Sequence, residues 1–229
     1  KGGLLTWAKR FFTPVALVFL IYMGWQSRAL LATVVATAQW NWLLLAIFCL
    51  ILPHLVSAKA TVMILKACGM SISYRLALQI HISRLPARYL PGGVWHSVGR
   101  MMDFHTLGVK PSQLTALFLL ENILAIAVAF LLGGLCLWYF RGLAEDRWGQ
   151  LAAIAVIGNL FGLVLTPVVI SRSVLKGTHQ WQLRFYLQAI SLYVPIWCLF
   201  ASGFVCYLSA FPLALGNLSK LEIGGTYLF

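Results

Sequence analysis

Charged residues are scarce in this chain, and acidic residues are the scarcest. Of its 229 residues only 10% are charged and five are acidic, whereas 61% are hydrophobic. Soluble domains carry about 25% charged residues, and catalysis by paired carboxylates needs acids that are mostly absent here. The composition therefore excludes an ordinary soluble domain. The apolar stretches are continuous and do not alternate in period two, which disfavours a transmembrane β-barrel.

The sequence motifs that usually carry chemistry are missing as well. The five histidines lack HExxH or another metal-ligand spacing, and no GxSxG elbow occurs. The Pro-Gly-Gly at residues 91–93 lacks the GxxxxGK[ST] context of a P-loop. The five cysteines form no close CxxC pair and are interpreted as small buried hydrophobes. We therefore predict no enzyme activity, no cofactor, no metal site and no nucleic-acid partner.

Long apolar stretches are what the chain does contain, and they predict an all-α, polytopic helical membrane protein with five or six spans. A spanning helix needs about 20 apolar residues. We expect a single transmembrane domain over residues 1–229 that is truncated at its C-terminus. The predicted spans are residues 11–27, 41–65, 111–140, 149–171 and 185–211, with a sixth beginning near Glu222.

The formal net charge of +12 is explained by topology. With the N-terminus in the cytoplasm, twelve Lys and Arg residues fall on the inner side of the membrane and four on the outer side. Such an excess in cytoplasmic loops sets the orientation of a membrane protein. We therefore predict a multi-pass protein of the cytoplasmic (inner) membrane with a cytoplasmic N-terminus, whose inner face attracts anionic lipid.

The connection between the second and third predicted spans, residues 71–110, carries much of the polar chemistry. Ser71 and Ser73 are suited to cap a helix, which is predicted to lie on the inner interface and to bend or stop at Pro86. Broken or re-entrant helices are predicted around residues 84–100. The polar residues of the first helix are Arg75, Gln79 and His81, and its apolar stripe contains Leu76, Ile80 and Leu85.

The segment "YLPGGVW" in this connection predicts a sharp turn before a second helix. Gly92 and Gly93 permit positive φ angles and the close approach of another backbone or a ligand. A turn followed by a helix start suits an anion, because free N–H groups point toward it. An ordinary inner loop with arginines and a Pro-Gly turn is the alternative. Phosphate is the anion that we expect to bind there, and the basic residues predicted to bind it are Arg84, Arg88, His96 and Arg100.

Glu121 is a second anomaly, because it places a carboxylate inside a predicted span. Carboxylates at membrane depth are costly and usually face the bundle interior, where they are paired or wetted. We predict either a functional buried charge that couples to the site or a structural ion pair. A neutral carboxyl that is hydrogen-bonded to Asn122 or Asn159 is the alternative. The candidate charged or basic partners are Arg100, Lys59 and His54.

The stretch "ARYLPGGVWHSVGRMMDFHTLGVKPSQLTALFLLEN" resembles the lysylphosphatidylglycerol synthase transmembrane-region family of flippase-like integral membrane proteins. The similarity extends best over residues 84–125, and Asn122 stands where the family often has Arg. The later "LEIGGTYLF" resembles the approach to the family's second Pro-Gly-Gly motif. The positions that carry the resemblance are Arg88, Leu90-Pro91-Gly92, Gly99-Arg100, Leu107-Gly108 and Glu121.

The resemblance implies about eight spans in a full-length member, some of them broken or re-entrant, and transfer of lipid between leaflets. No aminoacyl transfer is expected, because the sequence contains no soluble synthase domain. We therefore expect a flippase-like protein of cell-envelope biogenesis that binds or translocates a phosphate-bearing lipid, either a polyprenyl-phosphate-linked sugar or an aminoacylated phospholipid. The rival hypothesis is a non-catalytic membrane scaffold that recruits a glycosyltransferase or another envelope enzyme.

Overall fold

The computed structural model describes Val18 and residues 21–89, 95–141, 147–176 and 181–211, and these ranges contain helices and no strand. Four of the helices are long and apolar enough to cross a bilayer. The chain is therefore a multi-pass helical membrane protein, as predicted. The helices are α1 (Arg28–Thr37), α2 (Trp40–Ala67), α3 (Tyr74–Arg84), α4 (Trp95–Thr106), α5 (Pro111–Arg141), α6 (Arg147–Val169) and α7 (Leu183–Ser209).

The candidate spans agree with four of the predicted spans to within a few residues. Each span is longer than the roughly 20 residues that a bilayer core requires. The predicted first span at 11–27 lies mostly outside the described residues, and the sixth near Glu222 lies wholly outside them. The four spans are Trp40–Ala67, Pro111–Tyr139, Gly149–Val174 and Leu183–Ser209; the third includes a π-helical segment, Ile170–Val174, that continues α6.

Helices α2 and α7 form an antiparallel pair that is joined at both ends. The Gln39 N–H donates to the Ala210 carbonyl at 2.9 Å, and the Gln182 N–H donates to the Ala67 carbonyl at 3.2 Å. These bonds satisfy backbone groups that a helix end leaves without an intrahelical partner. The apolar core lies where this pair meets α5, and the Trp197 indole N–H of α7 donates to the Ala125 carbonyl of α5 at 2.8 Å.

Glycines end helix α2, which precedes the connection of residues 71–110 (the central connection), and helix α4, which is the last helix within it. Gly69 and Gly108 have φ angles of 78° and 86°, which place them in the left-handed region that favours glycine. Past Gly69, the Met70 N–H donates to the Leu65 carbonyl at 2.9 Å, and the chain after Gly108 makes the corresponding bond. Both ends are therefore Schellman caps, which stop α2 and α4 cleanly and reverse the chain.

Side-chain caps start the neighbouring helices α3 and α5. The Ser73 hydroxyl accepts from the Leu76 N–H at 3.3 Å, which confirms the predicted N-cap. The Gln113 side chain accepts from the Lys110 N–H at 3.0 Å and donates to the Cys68 carbonyl at 2.9 Å. Gln113 thus fixes the first turn of α5 against the end of α2, and this sets the direction in which α5 passes the central connection.

The central connection folds as short helices that lie against α2 and α5. Helix α3 ends at Arg84, and a 3-10 segment, Leu85–Tyr89, follows it. The α-helix was predicted to bend or stop at Pro86, and it stops two residues before this proline. Gly92 and Gly93 lie outside the described residues, and α4 resumes the described chain at Trp95.

Candidate functional site

A buried ion pair between Arg100 and Glu121 lies at the centre of the site. The Arg100 guanidinium donates through two nitrogens to the two oxygens of the Glu121 carboxylate, at 2.8 and 3.1 Å. Thr61 completes the network, because its hydroxyl donates to Glu121 Oε1 at 2.6 Å and accepts from Arg100 Nη2 at 2.9 Å. Arg100 is only 5% exposed, so three helices meet around one desolvated charge pair.

Of the partners predicted for Glu121, the structure selects Arg100. The amides of Asn122 and Asn159 donate instead to carbonyls of their own helices, each at 2.7 Å. Glu121 lies ten residues into α5, about 15 Å from its start at 1.5 Å per residue. Arg100 belongs to α4, which is not one of the candidate spans, but its guanidinium pairs with a carboxylate that lies well inside a span.

Arg84 and Asp103 form a second ion pair, which joins α3 to α4. Two guanidinium nitrogens donate to the two carboxylate oxygens at 2.6 and 2.7 Å. This hydrogen bonding lowers the pKa of Asp103 and raises the pKa of Arg84. Gly99 leaves the space through which the Arg84 side chain passes, because a Cβ atom there would lie 3.0 Å from Arg84 Cδ. The structure therefore places Arg84, a predicted phosphate ligand, against a carboxylate of its own chain.

Three histidines from three helices lie side by side near the central ion pair. His54 Nδ1 and His81 Nε2 are 3.3 Å apart. The His81 ring also meets the His96 ring edge to face, with centroids 5.6 Å apart. His81 is only 6% exposed, although its place in the sequence assigned it to the polar residues of an amphipathic helix. The polar cluster, as we name it, consists of His54, Thr61, His81, His96, Arg100 and Glu121.

His81 and His96 are electrically neutral at neutral pH. Burial, followed by the nearby Arg100 charge, lowers the pKa of His81 to about 3 and the pKa of His96 to about 4. Arg88 acts on both rings in the same direction, so this exposed arginine lies close to the cluster. Among the described residues Arg88 makes no ion pair.

Three buried nitrogen atoms of the polar cluster have no hydrogen-bond partner in the described part of the chain. They are His81 Nδ1, His96 Nε2 and Arg100 Nε. A buried polar atom without a partner costs about 1–3 kcal/mol, and native structures contain few of them. Arg100 Nε carries a hydrogen and can only donate, and each imidazole nitrogen can donate when it is protonated. The polar cluster therefore has unused capacity to bind a group that accepts hydrogen bonds.

An apolar groove of about 650 Å³ runs between α4 and α5, the two helices that carry Arg100 and Glu121. Met101 adjoins Arg100 in the chain, and Phe118 precedes Glu121 by three residues, so the groove lies on the same two helices as the ion pair. Its walls include Ser97, Val98, Met101, Met102, Leu114 and Phe118. The groove has the apolar lining that a hydrocarbon chain requires.

Sequence reasoning found part of this site. Arg88, His96, Arg100 and Glu121 lie in or beside the polar cluster, whereas Arg84 is engaged by Asp103. Thr61 and His81 were missed as site residues, because their partners are distant in the chain and neither forms a local motif. Within the described ranges, no group of three or more His, Cys, Asp and Glu side chains has an arrangement that could hold a metal ion.

The chain matches no protein-family model, no curated protein and no solved structure with which it was compared.

Proposed function

We propose that the protein binds a phosphate-bearing lipid at the polar cluster and moves it between the leaflets of the membrane, as a flippase-like protein of cell-envelope biogenesis. The observation that carries this proposal is the set of three buried nitrogens that have no acceptor among the residues that the structure describes. A phosphodiester group suits them, because its two free oxygens accept hydrogen bonds and bear a negative charge. The proposed setting is the inner membrane, with the N-terminus in the cytoplasm.

The surroundings of the cluster suit the rest of such a lipid. The groove between α4 and α5 is almost entirely apolar, and these two helices carry Arg100 and Glu121. A headgroup at Arg100 would contact polar side chains, and an acyl or polyprenyl chain in the groove would contact apolar ones. The resemblance of residues 84–125 to a flippase-like family also supports lipid transfer.

The roles of the basic residues follow from their partners. Arg88 is exposed at the edge of the cluster and makes the first contact with the phosphate. His96 and Arg100 hold the phosphate inside. Arg84 holds α4 in place through Asp103 and does not bind the ligand itself. Gly92 and Gly93, which precede His96 in the chain, keep their proposed role of allowing the headgroup to approach the backbone.

The test is a binding measurement with the whole chain in nanodiscs of phosphatidylcholine that contain increasing amounts of dioleoylphosphatidylglycerol. Arg88→Ala and His96→Gln should each weaken retention of the anionic lipid about tenfold, since a hydrogen bond to a charged group contributes about 1.5–3 kcal/mol. Arg75→Ala is the matched control, because it removes the same charge from an exposed position in the first turn of α3.

The same variants in proteoliposomes test movement of the lipid. A fluorescent phosphatidylglycerol should cross to the other leaflet more slowly with Arg88→Ala than with Arg75→Ala. Equal retention and equal movement in all variants would refute the proposal. Stable association with an envelope enzyme and no preference for anionic lipid would instead indicate the scaffold.

A further inference from the structure

We infer that lipid binding at the polar cluster is linked to proton uptake by His81 and His96, so that a proton enters the site with the phosphate and leaves with it. This inference rests on the proposed function, because it names the ion that accompanies the lipid at the same site. It adds a source of energy, since a proton gradient would then favour binding from the more acidic side of the membrane.

The contact between His54 and His81 shows why a proton fits. One of the two nitrogens that lie 3.3 Å apart must carry a hydrogen if they are bonded. His81 in its charged form donates from both of its nitrogens. Its Nε2 hydrogen then goes to His54 Nδ1, and its Nδ1 hydrogen, which has no acceptor within the described structure, goes to a phosphate oxygen. A proton on His81 therefore lets the ring donate to His54 and to the phosphate at the same time, and it places a positive charge beside the negative one.

His96 offers a second buried ring nitrogen beside His81. Its Nε2 is also buried without a described partner, and its ring lies edge to face with that of His81. Four charged or titratable groups act on the two rings from the surrounding elements, namely His54 of α2, Arg88 of the 3-10 segment, Arg100 of α4 and, for His96, Glu121 of α5. The two arginines oppose protonation, and a bound phosphate would offset them.

The pH range follows from the sign of this effect. Without ligand, burial and Arg100 hold the pKa of His81 at about 3 and that of His96 at about 4. A negative charge in contact raises a histidine pKa by about 1–3 pH units. Affinity for the phosphate should therefore rise as the pH falls through the raised pKa, and it should level off below the pKa of the empty site. The rise occurs on the acidic side of neutrality.

The experiment measures binding of dioleoylphosphatidylglycerol to the whole chain in phosphatidylcholine nanodiscs at about pH 5.5 and about pH 7.5. This phosphodiester keeps its single charge over that range, so a change of affinity reports on the protein. One proton taken up gives at most a tenfold gain per pH unit, and we expect about tenfold in total. Calorimetry in two buffers with different heats of ionisation should show net proton uptake.

Histidine variants assign the effect. The double variant, His81→Gln with His96→Gln, should bind with equal affinity at both pH values. If substitution of the buried His81 prevents folding, His96→Gln alone is the test, and it should reduce the pH dependence. His105→Gln is the matched control, because His105 lies at the exposed end of the same helix as His96, and it should keep the full dependence.

The outcomes separate this inference from the proposed function. Binding that is strong, sensitive to Arg88→Ala and equal at both pH values, with no proton uptake, would overturn proton linkage and leave lipid binding standing. A pH dependence that survives in the double variant would overturn the assignment to these histidines. Absence of binding at both pH values would overturn the inference and the proposed function together.

Discussion

Glu121→Gln should destabilise the fold strongly, because it leaves the Arg100 charge buried without a counter-ion. Removing one partner of a buried ion pair costs about 3–5 kcal/mol. The Glu121 side chain is 17% exposed, and glutamine can still accept from Arg100 and Thr61, so we expect a value near the lower limit. For a chain of this size each kcal/mol lowers the melting temperature by about 2–4 °C, which gives a decrease of about 6–12 °C.

The assay is thermal unfolding in detergent micelles, followed by circular dichroism. Asn122→Ala is the matched control, since this exposed neighbour bonds the Phe118 carbonyl of its own helix and should shift the melting temperature little. Combining Glu121→Gln with Arg100→Met removes both charges and should recover most of the loss. The reasoning is refuted if Glu121→Gln melts within about 2 °C of Asn122→Ala, or if the double variant is less stable than the single one.

Two further predictions concern how the helices are held together. Gly134→Ala should lower the free energy of unfolding by about 1–3 kcal/mol, because the new Cβ would lie 2.8 Å from Val156 Cγ2, where α5 packs on α6. Gly158→Ala is the control: a Cβ atom there meets no described atom within 4 Å, so the variant should be neutral or stabilising in the same unfolding assay. Asp103→Asn should lower stability at neutral pH. Its melting temperature should converge with that of the wild type as the pH falls through the lowered pKa of Asp103, because the stabilisation by Arg84 is present above the ordinary pKa and is lost below the native one.

Hydropathy predicted the four candidate spans well because each one is apolar over most of its length, as a bilayer requires. The cap at Ser73 and the bend at Pro86 were also predictable, since both depend on residues adjacent in the chain. Glu121 could be singled out because a charge in an apolar run is conspicuous, and Arg100 was among its candidate partners.

The remainder of the site depends on how distant segments cross. Thr61 lies 60 residues from Glu121 in the chain, and a threonine in an apolar helix gives no signal of its own. The engagement of Arg84 by Asp103 requires α3 and α4 to approach at Gly99, where the missing side chain leaves a path. Neither periodicity nor motif spacing contains the angle at which two helices meet, so these contacts were not predictable from the residues alone.

The joined ends of α2 and α7 have a consequence for biosynthesis. The Ala67 carbonyl can accept its hydrogen bond only after Gln182 has been synthesised, and the Gln39 N–H can donate to Ala210 only after Ala210 has been synthesised. At about 5–20 residues per second, translation of the intervening chain takes roughly ten seconds. During that time α2 resides in the membrane with an unpaired apolar flank. Its final docking is therefore a late, long-range event, and a chaperone or insertase that shields this flank would act in that interval.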